Sequence, residues 1–211
     1  MMLRSRWVAI LAVGAISGCA APQPYDFSEF NKAPPRSILV VPVVNRSLDV
    51  DASNYVLSTL TVPLAEIGYY VFPVNTVKVL LEHEGLYEPE QVRRMEPARL
   101  AALFGADSVL YVTIDRWDAQ YAVIAATVTV EFDYELKRND GALIWSTRKR
   151  MQYSPQQSQQ GSAAANLIAA LISAAVTRAA PNYLPLTQQA NTAVFTLDAS
   201  KLPPGPYLKP K

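Results

Sequence analysis

The sequence predicts an α/β domain with a single mixed sheet that contains a βαβ unit, a long antiparallel hairpin and packed helices. A β-branched run, a helical segment and a second β-rich run follow one another within residues 37–74, an order typical of a βαβ unit. Residues 127–136 then alternate between polar and apolar side chains and lead to the turn signal Asn139-Asp140-Gly141. With 211 residues, of which 50% are hydrophobic, the chain is long enough for one domain with a substantial core.

Residues 1–18 have the organisation of a signal peptide. Two arginines, Arg4 and Arg6, precede an apolar run from Trp7 to Ile16. This run is shorter than the ~20 residues with which a helix spans a bilayer, so a transmembrane anchor is not expected. The chain is therefore predicted to be exported and cleaved.

The end of this signal peptide predicts a lipid anchor. The tetrad Ile16-Ser17-Gly18-Cys19 resembles the bacterial lipobox, in which the cysteine receives an S-diacylglycerol and, after cleavage, an N-acyl chain. Cys19 is the only cysteine of the chain and stands where the lipobox requires it. We predict lipidation at Cys19 and no other cofactor. The alternative is an ordinary secretory signal with a chance cysteine.

The residue after this cysteine and the charge balance predict where the mature chain resides. Ala20, rather than an aspartate, follows Cys19. By resemblance to Gram-negative sorting signals, this favours the outer membrane, with the domain facing the periplasm. Loss of Arg4 and Arg6 lowers the formal net charge from +1 to −1. No basic surface is then expected for nucleic acid or anionic headgroups, so the acyl chains must provide the anchoring.

Proline marks both ends of the predicted domain, which covers residues 37–200. Residues 19–36 are predicted to form a Pro-rich tether, and residues 201–211 a Pro-rich tail that lies as an extended strap. The aromatic residues of the tether could instead pack onto the domain, and the sequence leaves both alternatives open. These residues are Tyr25, Phe27 and Phe30.

The βαβ unit begins with Ser37–Val44, whose continuous apolar and β-branched composition predicts a strand buried on both faces. Pro42 indicates that the later part of this strand lies at a sheet edge or a bulge, or has left the sheet. A helix capped by Asp51 or Ser53 is predicted next. Tyr69–Val74 completes the unit as its second strand.

Three short helices and a further strand are predicted between this unit and the hairpin. The helices run from Thr76 to about Gly85, over Glu90–Met95 and over Pro97–Phe104. Ala106–Ile114 is a further buried strand by its length and its β-branched composition.

The hairpin over Tyr121–Tyr153 has the clearest local pattern. Apolar residues from Val128 to Leu136 alternate with threonines and acids, which can pair with arginines of the partner strand. We predict a soluble sheet with one solvated face, and strands that cross a membrane are the alternative. The partner strand divides into two faces, with Leu143, Trp145 and Met151 on one and Ser146, Arg148 and Arg150 on the other.

An Ala-rich helix is predicted over Ala163–Ala180, with bulky residues on one stripe. An ordinary core helix covered by the chain's own loops is the favoured interpretation of this segment. Its alanines also offer a flat face that another helix could approach closely, and the alternative is therefore an interface of a homo-oligomer, a dimer or larger. The candidate interface residues are Ala163, Ala164, Ala165, Ala169, Ala170, Ala174 and Ala175. Downstream, Ala193–Leu197 is predicted to be a strand.

His83 is the only histidine, and it lies between Glu82 and Glu84 near a predicted helix end. Adjacent residues of a helix point in different directions, which favours a surface histidine over a catalytic base or a metal ligand. One histidine and one cysteine cannot build a multi-thiolate zinc site or a disulfide framework. No metal site is therefore predicted.

Four acids near one end of the predicted sheet are the remaining candidates for catalysis. Asp115, Asp118, Glu131 and Asp133 could form the paired carboxylates of a hydrolase, but a solvated strand face with arginine neighbours is favoured. The chain contains no Gly-x-Ser-x-Gly, no phosphate-binding glycine loop and no His-Glu-x-x-His. No catalytic residue is predicted, and the chain is not expected to be an enzyme.

Several segments together resemble a family of Gram-negative lipoproteins that includes a meningococcal surface antigen. They are the lipobox and the stretches SILVVPVVNRS, ADSVLYV, NDGALIWS and GPY, which are spread over nearly the whole chain. That family is similar in fold to curli-secretion CsgG-type and TolB N-terminal lipoprotein domains. The resemblance implies an α/β sandwich, outer-membrane attachment and self-association, and it transfers no catalytic residue.

Taken together, these features predict an outer-membrane lipoprotein that faces the periplasm and binds envelope proteins, as a component of a transport, secretion or assembly complex. One alternative is a subunit of an oligomeric CsgG-like secretion channel, which would require the hairpin to enter the membrane. Another is a regulator of cell-wall synthesis enzymes. No nucleic acid and no small-molecule cofactor are expected as partners.

Overall fold

A computed structural model of the chain describes residues 24–122, 125–153 and 183–208, and it has the predicted α/β class with one mixed sheet. The strands are β1 (Ser37–Val40), β2 (Val44–Asn45), β3 (Tyr70–Val71), β4 (Ser108–Ala122), β5 (Ala125–Arg138) and β6 (Leu143–Tyr153). The helices are α1 (Ser28–Lys32), α2 (Ala52–Glu66), α3 (Val74–His83), α4 (Pro89–Arg94), α5 (Pro97–Phe104) and α6 (Leu184–Thr192). A π-helical turn, Ala193–Leu197, continues α6.

The predicted βαβ unit is present, with β1 and β3 parallel and α2 between them. The strand order is β3-β1-β4-β5-β6, and the short β2 also pairs in parallel with β4. The single strand predicted over Ser37–Val44 is divided, because Pro42 has no N–H to donate to the ladder. The helix caps differ from the prediction: Asp51 makes no side-chain bond at the start of α2, and α3 begins two residues before Thr76.

The antiparallel half of the sheet consists of β4, β5 and β6. The β5–β6 hairpin is confirmed, with its turn at Asn139–Gly141 and a φ of +89° at Gly141. However, β4 does not end at Ile114 but pairs with β5 as far as Ala122. A bulge at Asp115 shifts the register by one residue, so Trp117 lies on the same face as Ile114.

Helices cover both faces of the sheet. On one face, α2 and α6 pack on the alternating apolar residues of β5, all of which are buried, from Val128 to Leu136. On the other face, α3, α4 and α5 pack on β1 and the first part of β4 in a smaller core. The second face of β5 and β6 carries the acids of β5 and the arginines of β6, whereas Thr147 and Lys149 lie on the main-core side and contact Ser200 and Asp198.

Two further local predictions were wrong. Ala193–Leu197 is not a strand but the π-helical turn, in which Val194 and Phe195 are buried. The ring of Phe195 lies 5.9 Å from that of Trp145, so packing against the sheet outweighs the β-propensity of the segment. Leu143 was placed on the buried face but is 47% exposed, because a register shift next to Leu136 turns Ile144 inward instead.

Both Pro-rich ends contact the domain. Phe30 is buried in the main core, and the Tyr25 hydroxyl accepts a hydrogen bond from the Ser146 N–H at 2.8 Å. The C-terminal segment crosses the turn between α2 and β3, where the Gly205 N–H donates to the Ile67 carbonyl at 2.8 Å. The N-terminal segment from Tyr25 onward therefore packs on the domain, the alternative that the sequence left open.

Candidate interaction site

Several predicted site residues lie outside the described part of the chain. They are the lipidation site Cys19, the lipobox residues Ile16, Ser17 and Gly18, and the candidate interface alanines Ala163, Ala164, Ala165, Ala169, Ala170, Ala174 and Ala175. The Ala-rich helix predicted over residues 163–180 falls there as well. These assignments stay predictions.

His83 lies exposed at the C-terminal end of α3. With Val79, Glu82 and Tyr87 it lines a shallow depression of about 310 Å³. Among the described residues, no group of three or more His, Cys, Asp or Glu side chains is placed to bind a metal ion. His83 thus has the surroundings of a surface side chain.

The four predicted acids lie on the polar face of β4 and β5, next to basic side chains. Asp115 accepts a hydrogen bond from Arg46 at 2.9 Å, and Arg148 lies 3.8 Å from Asp115 and 3.9 Å from Asp133. Asp118 is 3.3 Å from Arg116, and Glu131 lies opposite Arg116 in the strand register. The arrangement is that of an ion-paired sheet face.

Burial and nearby charges shift the pKa values of this face in both directions. Burial raises the pKa of Asp133, and Arg148 only partly offsets this. Burial would also raise the pKa of Glu135, but Lys137 at 3.1 Å and Arg93 at 2.8 Å hold it below its usual range. A groove of about 510 Å³ lies beside α5, but none of its lining residues belongs to this face. In the described part of the chain, the acids therefore lie on the sheet face and not in this groove.

The outer edge of β6 offers a backbone surface that is not paired with another described strand. The Ser146 N–H points away from β5, since its acceptor is Tyr25. Alternation along the strand directs the N–H groups of Arg148 and Arg150 to the same edge. No residue in the described part of the chain accepts a hydrogen bond from either of these N–H groups. The side chain of Arg148 is 63% exposed.

A second surface, which the sequence reasoning missed, is the loop of residues 46–51 between β2 and α2. Leu48 is fully exposed and Val50 is 83% exposed. Tyr55, on the first turns of α2, is 45% exposed and stacks on Trp117 at 6.2 Å. Two aliphatic residues in an otherwise polar loop were visible in the sequence, but their exposure depends on the fold.

The comparison with protein families identifies the chain. The model of a family described as "Putative lipoprotein GNA1162-like" matches residues 25–207. The chain belongs to this family.

Individual GNA1162-like proteins agree with this assignment. The lipoprotein NMB1124/NMB1162 of Neisseria meningitidis serogroup B is 34% identical over 173 residues, which covers 82% of this chain and 78% of that protein. The crystal structure of lipoprotein GNA1162 from Neisseria meningitidis is similar with a TM-score of 0.57 and 31% identity, and the match covers 69% of this chain and 98% of that one. The predicted meningococcal family is confirmed, whereas the likeness to CsgG-type and TolB domains stays a prediction.

No helix in the described ranges combines the length and the apolar character needed to cross a bilayer.

Proposed function

We propose that this GNA1162-like chain is anchored to the outer membrane through lipid at Cys19, faces the periplasm and acts by binding other envelope proteins. It is a component of an envelope transport or assembly complex and has no catalytic activity. Membership in a lipoprotein family and the lipobox-like tetrad support the anchor. The ion pairs of the acids support a non-enzymatic role, because Asp115 and Asp118 are engaged by Arg46 and Arg116.

The open outer edge of β6 is the observation that carries the binding role. Edge strands with unpaired N–H and C=O groups accept an added strand from a partner, and soluble proteins usually block them. Here Tyr25 occupies only the Ser146 position. No described strand pairs with the part of the edge that follows, from Thr147 to Gln152, and this part is the proposed surface for a partner.

The charge of this edge defines the chemistry of its partner. Arg148 is held only loosely, at 3.8 Å and 3.9 Å from its two acids, so its guanidinium retains donors for another carboxylate. Arg150 is exposed on the same side of the strand. A partner segment in extended conformation would place alternate side chains next to these two arginines. We therefore expect an extended acidic segment of an envelope protein.

Substitutions of Arg150 separate backbone pairing from charge. Arg150→Pro removes an N–H that faces away from β5, so we expect the fold to be retained. Pairing with an added strand loses this donor, and we expect the yield of cross-links from a photoreactive residue at Gln152 to fall about tenfold. Arg150→Ala keeps the N–H and should lower the yield only about twofold.

The control is a photoreactive residue at Val79, which is exposed on α3 and should give the same products in all three proteins. Equal yields in Arg150→Pro and Arg150→Ala would contradict strand addition. Partners identified by mass spectrometry of the adducts would show whether enzymes of cell-wall synthesis are among them.

The mass of the lipidated chain in mild detergent distinguishes this proposal from a CsgG-like channel. Light scattering should give an assembly of one or a few protomers, consistent with an adaptor that self-associates at most modestly. A ring-sized assembly would favour the channel. An unchanged phenotype of the Asp115→Ala/Asp133→Ala double variant is expected, and its loss of function would favour a hydrolase.

A further inference from the structure

We propose that residues 46–51 form a membrane-contact loop, in which Leu48 and Val50 insert into the phospholipid surface to which the chain is anchored. This inference rests on the proposed lipid anchor and adds to it a defined orientation of the domain. It concerns a surface different from the β6 edge.

The loop is held in shape by hydrogen bonds within it and to the sheet. The Asn45 side chain donates to the Asp49 carbonyl at 2.6 Å and accepts from the Ser47 N–H at 2.9 Å and from the Ser47 hydroxyl at 2.7 Å. The Trp117 indole N–H donates to the Asp49 carboxylate at 3.0 Å. A carboxylate oxygen of Asp49 also accepts from the Asp51 N–H at 3.0 Å.

This network turns Ser47 and Asp49 inward and Leu48 and Val50 outward. Ser47 and Asp49 are engaged in hydrogen bonds, whereas the side chains of Leu48 and Val50 point into solvent. A loop without internal bonds could fold its aliphatic side chains back onto the domain. This one cannot do so without breaking its bonds to Asn45 and Trp117. The two side chains are thus presented for contact with something outside the domain.

The size of the patch favours a lipid surface over a second copy of the chain. Leu48, Val50 and the exposed part of Tyr55 offer on the order of 300 Å² of apolar surface, whereas a stable protein interface needs about 800 Å² from each partner. Insertion into a bilayer needs no complementary shape, and apolar side chains that enter the headgroup region gain favourable burial. A small, protruding aliphatic patch fits this mode of contact.

The length of chain between the anchor and the domain keeps the domain near the membrane. Tyr25 is fixed on β6 and lies six positions after Cys19, so the connection spans at most about 20 Å. β4 alone has 15 residues and is about 50 Å long. The tether is therefore shorter than the domain, which must keep part of its surface close to the headgroups. Weak insertion by two side chains is then an intramolecular event at high effective concentration.

The charges of the loop indicate that anionic lipid is not required. Arg46 is the only cation of the loop, and it is paired with Asp115 at 2.9 Å. Asp51 is exposed and adds a negative charge. We therefore expect contact with zwitterionic lipid that does not strengthen with the fraction of phosphatidylglycerol.

The test uses the full, lipidated chain with Leu48→Cys, which provides the only free thiol when Cys19 carries lipid. A fluorophore on this thiol is measured in phosphatidylethanolamine vesicles containing a lipid with a nitroxide near the headgroup. Val79→Cys, also exposed but on α3 across the sheet, is the matched control. We expect quenching at position 48 to be at least about threefold stronger than at position 79, with little change when phosphatidylglycerol is added.

Flotation of the vesicles separates failure of the inference from failure of the anchor. If the labelled chain floats with the vesicles but position 48 is quenched no more than position 79, the loop does not contact lipid and the inference is wrong, whereas the anchor stands. A fluorophore at position 48 that is shielded from water but not quenched by the lipid nitroxide would indicate a protein partner. This result would also overturn the inference. A chain that does not float would refute the anchor and the inference with it.

Discussion

Gly205→Ala will detach the C-terminal segment and lower the free energy of unfolding by about 2–4 kcal/mol. A Cβ atom on Gly205 would lie 2.3 Å from the Gly68 carbonyl oxygen and 2.9 Å from the Tyr69 nitrogen. Both are backbone atoms at the turn between α2 and β3, so no side-chain movement can relieve the clash. The contacts that would be lost include the hydrogen bond from the Tyr69 hydroxyl to the Pro203 carbonyl at 2.6 Å and the burial of Leu202.

Thermal unfolding checks this prediction, and Gly85→Ala provides the control. Gly85 has a φ of +79°, but a Cβ there meets nothing within 4 Å, so alanine introduces backbone strain without a clash. We expect a loss of only about 1 kcal/mol at Gly85. Because Gly205 lacks a positive φ, the stability lost in Gly205→Ala would come from the clash alone. If Gly205→Ala unfolds with the same midpoint as the unmodified protein, the tail does not lie against this turn.

Asn191→Ala will destabilise the domain by about 3–4 kcal/mol, because it leaves a buried hydroxyl without an acceptor. Asn191 is fully buried on α6 and accepts from the Tyr134 hydroxyl at 2.6 Å. Its side-chain N–H donates to the Thr59 hydroxyl on α2 at 2.7 Å. The amide thus joins two helices to the centre of β5. Burial raises the pKa of Tyr134 well above its usual value, so its hydroxyl stays a neutral donor.

A double-mutant cycle with Tyr134→Phe tests the reason for this loss. Phenylalanine removes the orphaned hydroxyl, so the double variant Asn191→Ala/Tyr134→Phe should be more stable than the sum of the single losses by about 1–2 kcal/mol. Denaturant unfolding of the four proteins gives this coupling. Additive losses would show that Tyr134 and Asn191 are not energetically coupled, which would contradict the hydrogen bond between them.

Local patterns of the sequence were sufficient for much of the fold. The period-two alternation of β5 and the Asp140-Gly141 signal predicted the hairpin, because both features act within a few residues. Pro97 similarly marked the start of α5. The α/β fold class and the mixed sheet followed from the order of the predicted strands and helices.

Where the sequence reasoning was wrong, contacts distant along the chain determine the local structure. The bulge at Asp115 moves the apolar residues of β4 to a different phase beyond Ile114, so the alternation that resumes at Arg116 and Trp117 does not continue the pattern that ends at Ile114. The π-helical turn depends on the packing of Phe195 against Tyr134 on β5 and Trp145 on β6. Neither effect is visible within a short window of sequence.

The sequence could predict some features of the candidate surfaces but not others. The pairing of acids with arginines on one sheet face could be predicted, because Asp133 and Arg148 occupy matching positions of the hairpin. The exposure of Leu48 could not, since the loop is held by Trp117, which is 68 residues from Asp49 in the chain. The position of β6 at the edge of the described sheet likewise became apparent only from the strand order.

The central claim is that the chain is anchored to a membrane by lipid at Cys19, and the mass of the mature protein tests it most directly. We expect protein purified from the cell envelope to begin at Cys19 and to carry the mass of a diacylglycerol and an N-acyl chain. The Cys19→Ala variant should keep its signal peptide and carry no lipid. A mature protein with an unmodified thiol at Cys19, or acyl chains that persist in Cys19→Ala, would contradict the account.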